Sequence, residues 1–241
     1  MDTNPSIENQ EKFYNKRWQE FSFAHHRKLL RCAAILSALA ETKLSEPRIV
    51  DLGCGAGWLA SILGVFGPTV GIELSSAAIN EASKRYAHVQ FIKANVFEWD
   101  YTPGTFDVVV SQEVIEHVED QAGYLRIAHD LLRNGGYLIL TTPNATVASA
   151  MEEEAQTSLR EQPIEKWLTL AALKSLLITR FDLLRITTIV PTSGKKGIHR
   201  WLTSVRLGHL CEKLGFGHSL TGCQLSFGYG LHTIAVARKG S

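Results

Sequence analysis

Short apolar runs alternate along this chain with stretches whose apolar residues recur every three or four positions, and the two rhythms predict strands and helices in turn. Residues 11–44 carry Phe13, Trp18, Phe21, Leu29, Leu30, Ile35, Leu36 and Leu39 on one or two amphipathic helical faces, and Pro47 ends that region. Strands are expected over 48–52, 69–73, 89–92, 106–111 and 137–142, with helices over 57–65, 75–86 and 123–133. Ser75 stands where an N-cap is needed, and Asn134-Gly135-Gly136 reads as a helix stop. Regular alternation of this kind predicts a parallel sheet wrapped by helices on both faces. Past Pro143 the rhythm changes to helices over 145–160 and 169–179, a strand over 181–190, a long connection over 191–230 and a last strand over 231–238.

Composition narrows the class. The 241 residues, 45% of them hydrophobic, suffice for one substantial core, so the expected organisation is an N-terminal helical cap or lid over 1–45 and a main domain over 46–241. A net charge of +1 leaves no electrostatic footprint for nucleic acid, which is not expected as a partner. Cys32, Cys54, Cys211 and Cys223 form no C-x-x-C pair, in keeping with a reducing cytoplasm. Residues 1–11 are polar, unlike a signal peptide, and the apolar stretch 29–40 is interrupted by Arg31 and Ser37 and too short to span a bilayer.

The chemistry begins at Ile49-Val50-Asp51-Leu52-Gly53-Cys54-Gly55-Ala56-Gly57-Trp58, an apolar strand that ends in an acid and a glycine-rich turn. Glycines permit positive φ and bring bare backbone to a ligand, and Cys54 and Ala56 keep the turn slim. A dinucleotide-binding turn has the spacing G-x-G-x-x-G, whereas Gly53, Gly55 and Gly57 alternate. Asp51 beside the turn would repel a pyrophosphate and attract a cation, such as the ammonium and sulfonium of S-adenosylmethionine. Glu73, at the end of the second strand, is placed to accept ribose hydroxyls. Leu74, Asn95 and Val96 offer two apolar faces and an amide to an adenine, or else belong to the core.

Three stretches, 50–57 with Glu73, 106–118 (Phe-Asp-Val-Val-Val-Ser-Gln-Glu-Val-Ile-Glu-His-Val) and 131–138 (Leu-Leu-Arg-Asn-Gly-Gly-Tyr-Leu), resemble the successive motifs of class I methyltransferases over residues 45–145. The wording Glu113-Val114-Ile115-Glu116-His117-Val118 is similar to that of ubiquinone-biosynthesis O-methyltransferases and related small-molecule enzymes. The resemblance implies a Rossmann-like α/β fold: a seven-stranded, mostly parallel sheet with helices on both faces and the last strand antiparallel. It implies S-adenosyl-L-methionine as cofactor, with Asp51, Gly53, Cys54, Gly55, Trp58, Glu73, Leu74, Asn95, Val96 and Gln112 as its binding residues. Asn95 departs from the acid often found at the adenine position.

Glu113 and His117 are the candidate catalytic residues, and the stretch they occupy admits three readings. His117 can serve as general base toward a hydroxyl. Glu113, Glu116 and His117 can hold a divalent ion, although similar small-RNA 2′-O-methyltransferases add a histidine that the matching 162–167 stretch lacks, and no metal is expected. Alternatively Gln112 and Glu113 touch the cofactor while Glu116 and His117 organise the turn. A sulfonium is already activated, so alignment alone can supply much of the acceleration. The Asn/Asp-Pro-Pro-aromatic motif of nucleobase amino-methylating enzymes is absent after the fourth strand, so a small-molecule acceptor methylated at a hydroxyl oxygen is expected. A nucleic-acid or protein methyltransferase and a non-catalytic S-adenosylmethionine-binding scaffold are the alternatives. Trp18, Phe21 and His25 or His26 either fold over the cofactor or pack between helices. Lys195, Lys196 and Arg200 in the long connection suit a phosphate or carboxylate on the acceptor, with a solvated charge run, an oligomer contact or a membrane surface as other readings.

Overall fold

A computed structural model describes residues 5–19, 26–148, 162–192, 222 and 224–240. Its elements run α1 (Ile7–Gln19), α2 (His26–Glu41), β1 (Ile49–Leu52), α3 (Trp58–Leu63), β2 (Thr69–Glu73), α4 (Ser76–Arg85), β3 (Gln90–Lys93), β4 (Phe106–Gln112), a 3-10 turn (Ile115–His117), α5 (Gln121–Leu131), β5 (Leu132–Pro143), α6 (Ala145–Ala148), α7 (Leu170–Leu177), β6 (Asp182–Ile189) and β7 (His232–Arg238). The strands form one seven-stranded sheet in the order β3-β2-β1-β4-β5-β7-β6. β7 runs antiparallel to both of its neighbours, and the other pairings are parallel. The expected α/β class and the reversed last strand are both present.

Strand periodicity divides the core between two faces. Val50, Leu52, Val109, Leu138 and Leu140 meet Tyr124, Leu125, Ala128 and Leu131 of α5 and Leu173 and Leu177 of α7. Ile49, Val108, Val110 and Ile139 meet Cys32, Ile35 and Leu39 of α2 and Leu59 and Leu63 of α3 on the other. α2 is therefore a layer of the main core, although its sequence lies inside the stretch expected as a cap. At about 25 cal/mol per Å² of buried apolar surface, each fully enclosed leucine or isoleucine stabilises the sheet by about 2 kcal/mol.

Caps and turns follow local chemistry. Ser75 Oγ accepts from Ala78 N (3.1 Å), as its position predicts, and Thr169 Oγ1 does the same for α7 from Ala172 N (3.1 Å). The helix expected over 123–133 ends earlier, at Leu131, and Asn134-Gly135-Gly136 lies within β5 instead of stopping a helix. The pairing with β4 jumps from Phe106↔Leu132 to Val108↔Tyr137, so these residues bulge outward, with Gly135 at φ +75°. Lys239 supplies the helix stop from afar, donating through Nζ to His129 O (2.9 Å) and Leu132 O (2.8 Å). Among the described residues no helix is long and apolar enough to cross a membrane. Phe21, His25, most of the helix expected over 145–160, and Lys195, Lys196 and Arg200 lie outside the described residues.

Candidate active site

Strand order reverses between β1 and β4, and ligands of open α/β sheets gather beyond the carboxyl ends of the strands at such a point. A cavity of about 760 Å³ lies there. One wall is a stripe of α1 (Ile7, Gln10, Tyr14, Arg17 and Trp18) at helical spacing. α1 is fastened across the strand ends by Asn15 Oδ1, which accepts from Ser75 Oγ (2.7 Å) and Ala77 N (3.1 Å), and by Glu11 Oε1, 2.9 Å from Lys93 Nζ.

The glycine turn forms the floor. Gly53, Gly55 and Gly57 have φ of +76°, +54° and +77°, a region open to glycine and strained for other residues. A Cβ at Gly53 would stand 2.4 Å from Val114 Cγ2, and one at Gly55 2.4 Å from Trp18 Cζ2. The Trp18 indole therefore lies directly on the turn. Glu73 ties turn to strand: Oε2 accepts from Gly55 N (3.1 Å) and Oε1 from Ser75 N (2.9 Å). Each carboxylate oxygen has a second lone pair, so Glu73, which lines the cavity, keeps acceptor capacity for a diol. Burial raises its carboxyl above the usual range.

Asp51 departs from its expected place. Its parity on β1 is that of Ile49, so its side chain points into the face covered by α2 and α3, 1% exposed and outside the cavity lining. There it accepts from the backbone N–H of Ala60, while Oδ2 is buried without a hydrogen-bond partner. Burial, reinforced by the neighbouring Glu73, pushes its carboxyl up to about 7.

Gly53, Cys54, Gly55, Trp58, Glu73, Leu74, Asn95, Val96, Gln112, Glu113 and His117 all line the cavity. Cys54 is nearly enclosed, and burial pushes its thiol up. Lys28 Nζ sits 4.9 Å from the centre of the Trp58 ring, a cation–π contact. Asn95 Oδ1 accepts from Phe97 N (3.1 Å), so its amide oxygen is engaged in the turn after β3. Gln112 Nε2 is a buried donor without a partner.

Beyond Gln112 the chain turns sharply, with Glu113 at φ +58°, a strained conformation for a residue with a Cβ. Glu113, Glu116 and His117 take their closest contacts from different partners, although His117 Nε2 also lies 3.8 Å from Glu116 Oε1. Glu113 Oε1 accepts from Thr141 Oγ1 (3.0 Å) and its Oε2 is 2.8 Å from His232 Nδ1. Burial opposes its ionisation, but His232, Arg31 and Thr141 together hold its carboxyl below the usual range. Glu116, 1% exposed, accepts from Thr142 Oγ1 (2.9 Å), and burial with Glu113 nearby raises it far above that range. His117 Nδ1 is 3.0 Å from Ile164 O, which fixes the ring proton on Nδ1 and leaves the Nε2 lone pair available. Burial lowers the His117 pKa, so the ring is neutral at pH 7. Among the described residues no three His, Cys, Asp or Glu side chains group as metal ligands.

Sequence reading missed Tyr14, Lys28, Arg31 and His232. Lys28 and Arg31 both line the cavity and stand three residues apart on one helical face, a readable signal once α2 is known to reach the site. His232 gives no local signal.

A family model described as a methyltransferase domain matches residues 23–217. The ubiquinone biosynthesis O-methyltransferase of Ruegeria pomeroyi is 33% identical over 162 residues, 61% of this chain and 62% of that protein. The enzyme of the same name from Methylocella silvestris is 35% identical over 116 residues, 46% and 45% of the two chains. The chain spans 35% to 62% of the length of such curated relatives. Among solved structures, the N-methyltransferase NodS of Bradyrhizobium japonicum, in complex with S-adenosyl-L-homocysteine, superposes with a TM-score of 0.67 at 12% identity, covering 97% of this chain and 100% of that one. That likeness is one of fold. With the greater part of its length matched by the family model, the chain belongs to the methyltransferase-domain family.

Proposed function

We propose that the protein transfers the methyl group of S-adenosyl-L-methionine to a hydroxyl oxygen of a small molecule. The observation that carries this reading is the cavity itself, which brings a glycine turn, a diol-accepting carboxylate and a neutral imidazole to one set of strand ends. The residues suit such a cofactor. Glu73 accepts from the ribose, and Leu74 and Val96 flank the base. The unpartnered Gln112 Nε2 is a donor for polar groups in the cavity, and Lys28 and Arg31 suit the carboxylate.

When bound, the cofactor supplies an activated methyl group on a sulfonium whose departure needs no acid. The protein's part is to align and to take a proton. The α1 stripe, with Trp18 on the turn, acts as a lid that excludes water, so of the stretch 1–45 expected as a cap it is α1 that takes this role. His117 Nε2 accepts the hydroxyl proton, with Nδ1 anchored on Ile164 O. Names of the relatives support oxygen as the methylated atom, and the cavity's size supports a small acceptor.

Calorimetry with S-adenosylhomocysteine tests the cofactor, and absence of binding overturns it. Methyl-labelled cofactor incubated with the protein and a cell extract tests the acceptor: label in a small product is expected, and label in a macromolecule overturns the small-molecule reading. Binding without any labelled product identifies a scaffold instead of an enzyme. Once the acceptor is known, His117→Ala is expected to lower kcat by roughly 10² to 10⁴ while cofactor affinity is unchanged.

A further inference from the structure

The one antiparallel strand delivers its first residue to the site. Because β7 runs against β5, His232 pairs with Pro143 at the carboxyl end of β5, level with the cavity that the parallel strands build there. His232 does not line that cavity and is 7% exposed, yet it stands between two residues that do, Arg31 and Glu113. From these contacts we infer that His232 is a positioning residue, which aims the Arg31 guanidinium at an anionic group of the bound ligand while Glu113 holds the imidazole.

The proton positions fix the direction of this chain. Arg31 Nη1 is 3.1 Å from His232 Nε2, and a guanidinium only donates, so in this contact Nε2 accepts and the ring proton resides on Nδ1. That proton faces Glu113 Oε2 at 2.8 Å, close enough for strong attraction though out of line for an ideal hydrogen bond. The other oxygen, Oε1, takes the Thr141 hydroxyl (3.0 Å) and lies 3.8 Å from Arg31 Nε. Glu113 is thus occupied by the protein's own groups, and its left-handed backbone (φ +58°) directs it there. Arg31 is not fully occupied. Its side chain is 12% exposed and lines the cavity, while Nε lies buried on the Glu113 side. A cation held from behind and open to the cavity on its other side suits a carboxylate arriving there.

This inference rests on the cofactor reading above, in which the carboxylate belongs to the amino-acid tail. Two nucleosides separate the two ideas: S-adenosylhomocysteine carries that tail, and 5′-methylthioadenosine lacks it. In His232→Asn the side-chain amide stays near the Nδ1 position but leaves Arg31 without an acceptor. In His232→Gln the amide reaches the Nε2 position and can accept from Arg31. Calorimetry is expected to show about tenfold weaker S-adenosylhomocysteine binding by His232→Asn, with methylthioadenosine within about twofold of wild type and His232→Gln within about threefold for both. In an Arg31→Gln background, His232→Asn is expected to add no further loss. Equal losses for both nucleosides, no loss at all, or a His232→Gln variant as weak as His232→Asn overturns the positioning role. Wild type that binds neither nucleoside overturns the cofactor reading and this inference with it.

Discussion

At and behind the cavity floor, the two halves of the site bury two groups of acids under opposite conditions. At the ends of β1 and β2, Asp51 and Glu73 lie close enough to repel each other, and burial raises both carboxyls, Asp51 to about 7. At the ends of β4, β5 and β7, Glu113 is mostly buried too, yet His232, Arg31 and Thr141 hold its carboxyl below the usual range. The first half carries an excess of negative groups and the second is balanced internally. Where repulsion from a second acid outweighs the nearest cation, as Glu73 outweighs Lys28 at Asp51, burial favours the proton, whereas an acid paired closely with its own cation orients its neighbours.

This contrast predicts opposite responses to removal of each acid. Glu113→Gln strands Arg31 beside a neutral amide and is expected to destabilise the fold by about 3 kcal/mol, read from urea unfolding at neutral pH. An unchanged midpoint would break the comparison on that side. Glu73→Ala removes the acceptor of two backbone donors and, on the proposed function, of the ribose, and about a hundredfold loss of S-adenosylhomocysteine affinity is expected by calorimetry.

Asp51→Asn sharpens the contrast, because stability and binding move in different directions. The folded-state pKa of Asp51 is raised from 3.8 to about 7, so the folded protein favours the proton over that interval. Stability from this group is greatest below the unfolded pKa, falls as pH rises, and is lost once pH passes the folded value. Above pH 7 Asp51→Asn is therefore expected to melt no lower than wild type. The same titration acts through the cavity floor on a cationic ligand with the reverse sign: affinity of wild type for S-adenosylmethionine, whose sulfonium S-adenosylhomocysteine lacks, is expected to rise with pH up to about 7, by at most about tenfold per unit. Asp51→Asn flattens that profile and binds about tenfold more weakly at pH 8. The smallest effect belongs to α1: Trp18→Ala uncovers Gly55 and is expected to weaken binding about threefold, with faster dissociation in stopped flow.

Much of the first half was legible in the chain because its residues are neighbours in sequence. Gly53, Gly55 and Gly57 carry their conformational demand in their identity, and Glu73 follows at the end of the next strand. The place of Asp51 was misread, since a strand sends alternate side chains to opposite faces and its parity sends this one toward α2 and α3. Asn134-Gly135-Gly136 misled for a related reason: a stop signal read locally proved to be a bulge set by pairing with β4. The balanced half was hardly legible. Arg31 reads as an interruption in an apolar helix and His232 as an isolated residue before a strand, and 201 positions separate them.

The sequence alone determined the alternation of strands and helices, the glycine turn and its family, because these depend on local periodicity and on conformations that only certain residues tolerate. Tertiary structure alone decided which acids are balanced and which are not. Charge balance depends on burial and on cations brought within a few ångströms by chain crossovers, and the reversal of β7 is what carries His232 to Arg31 and Glu113.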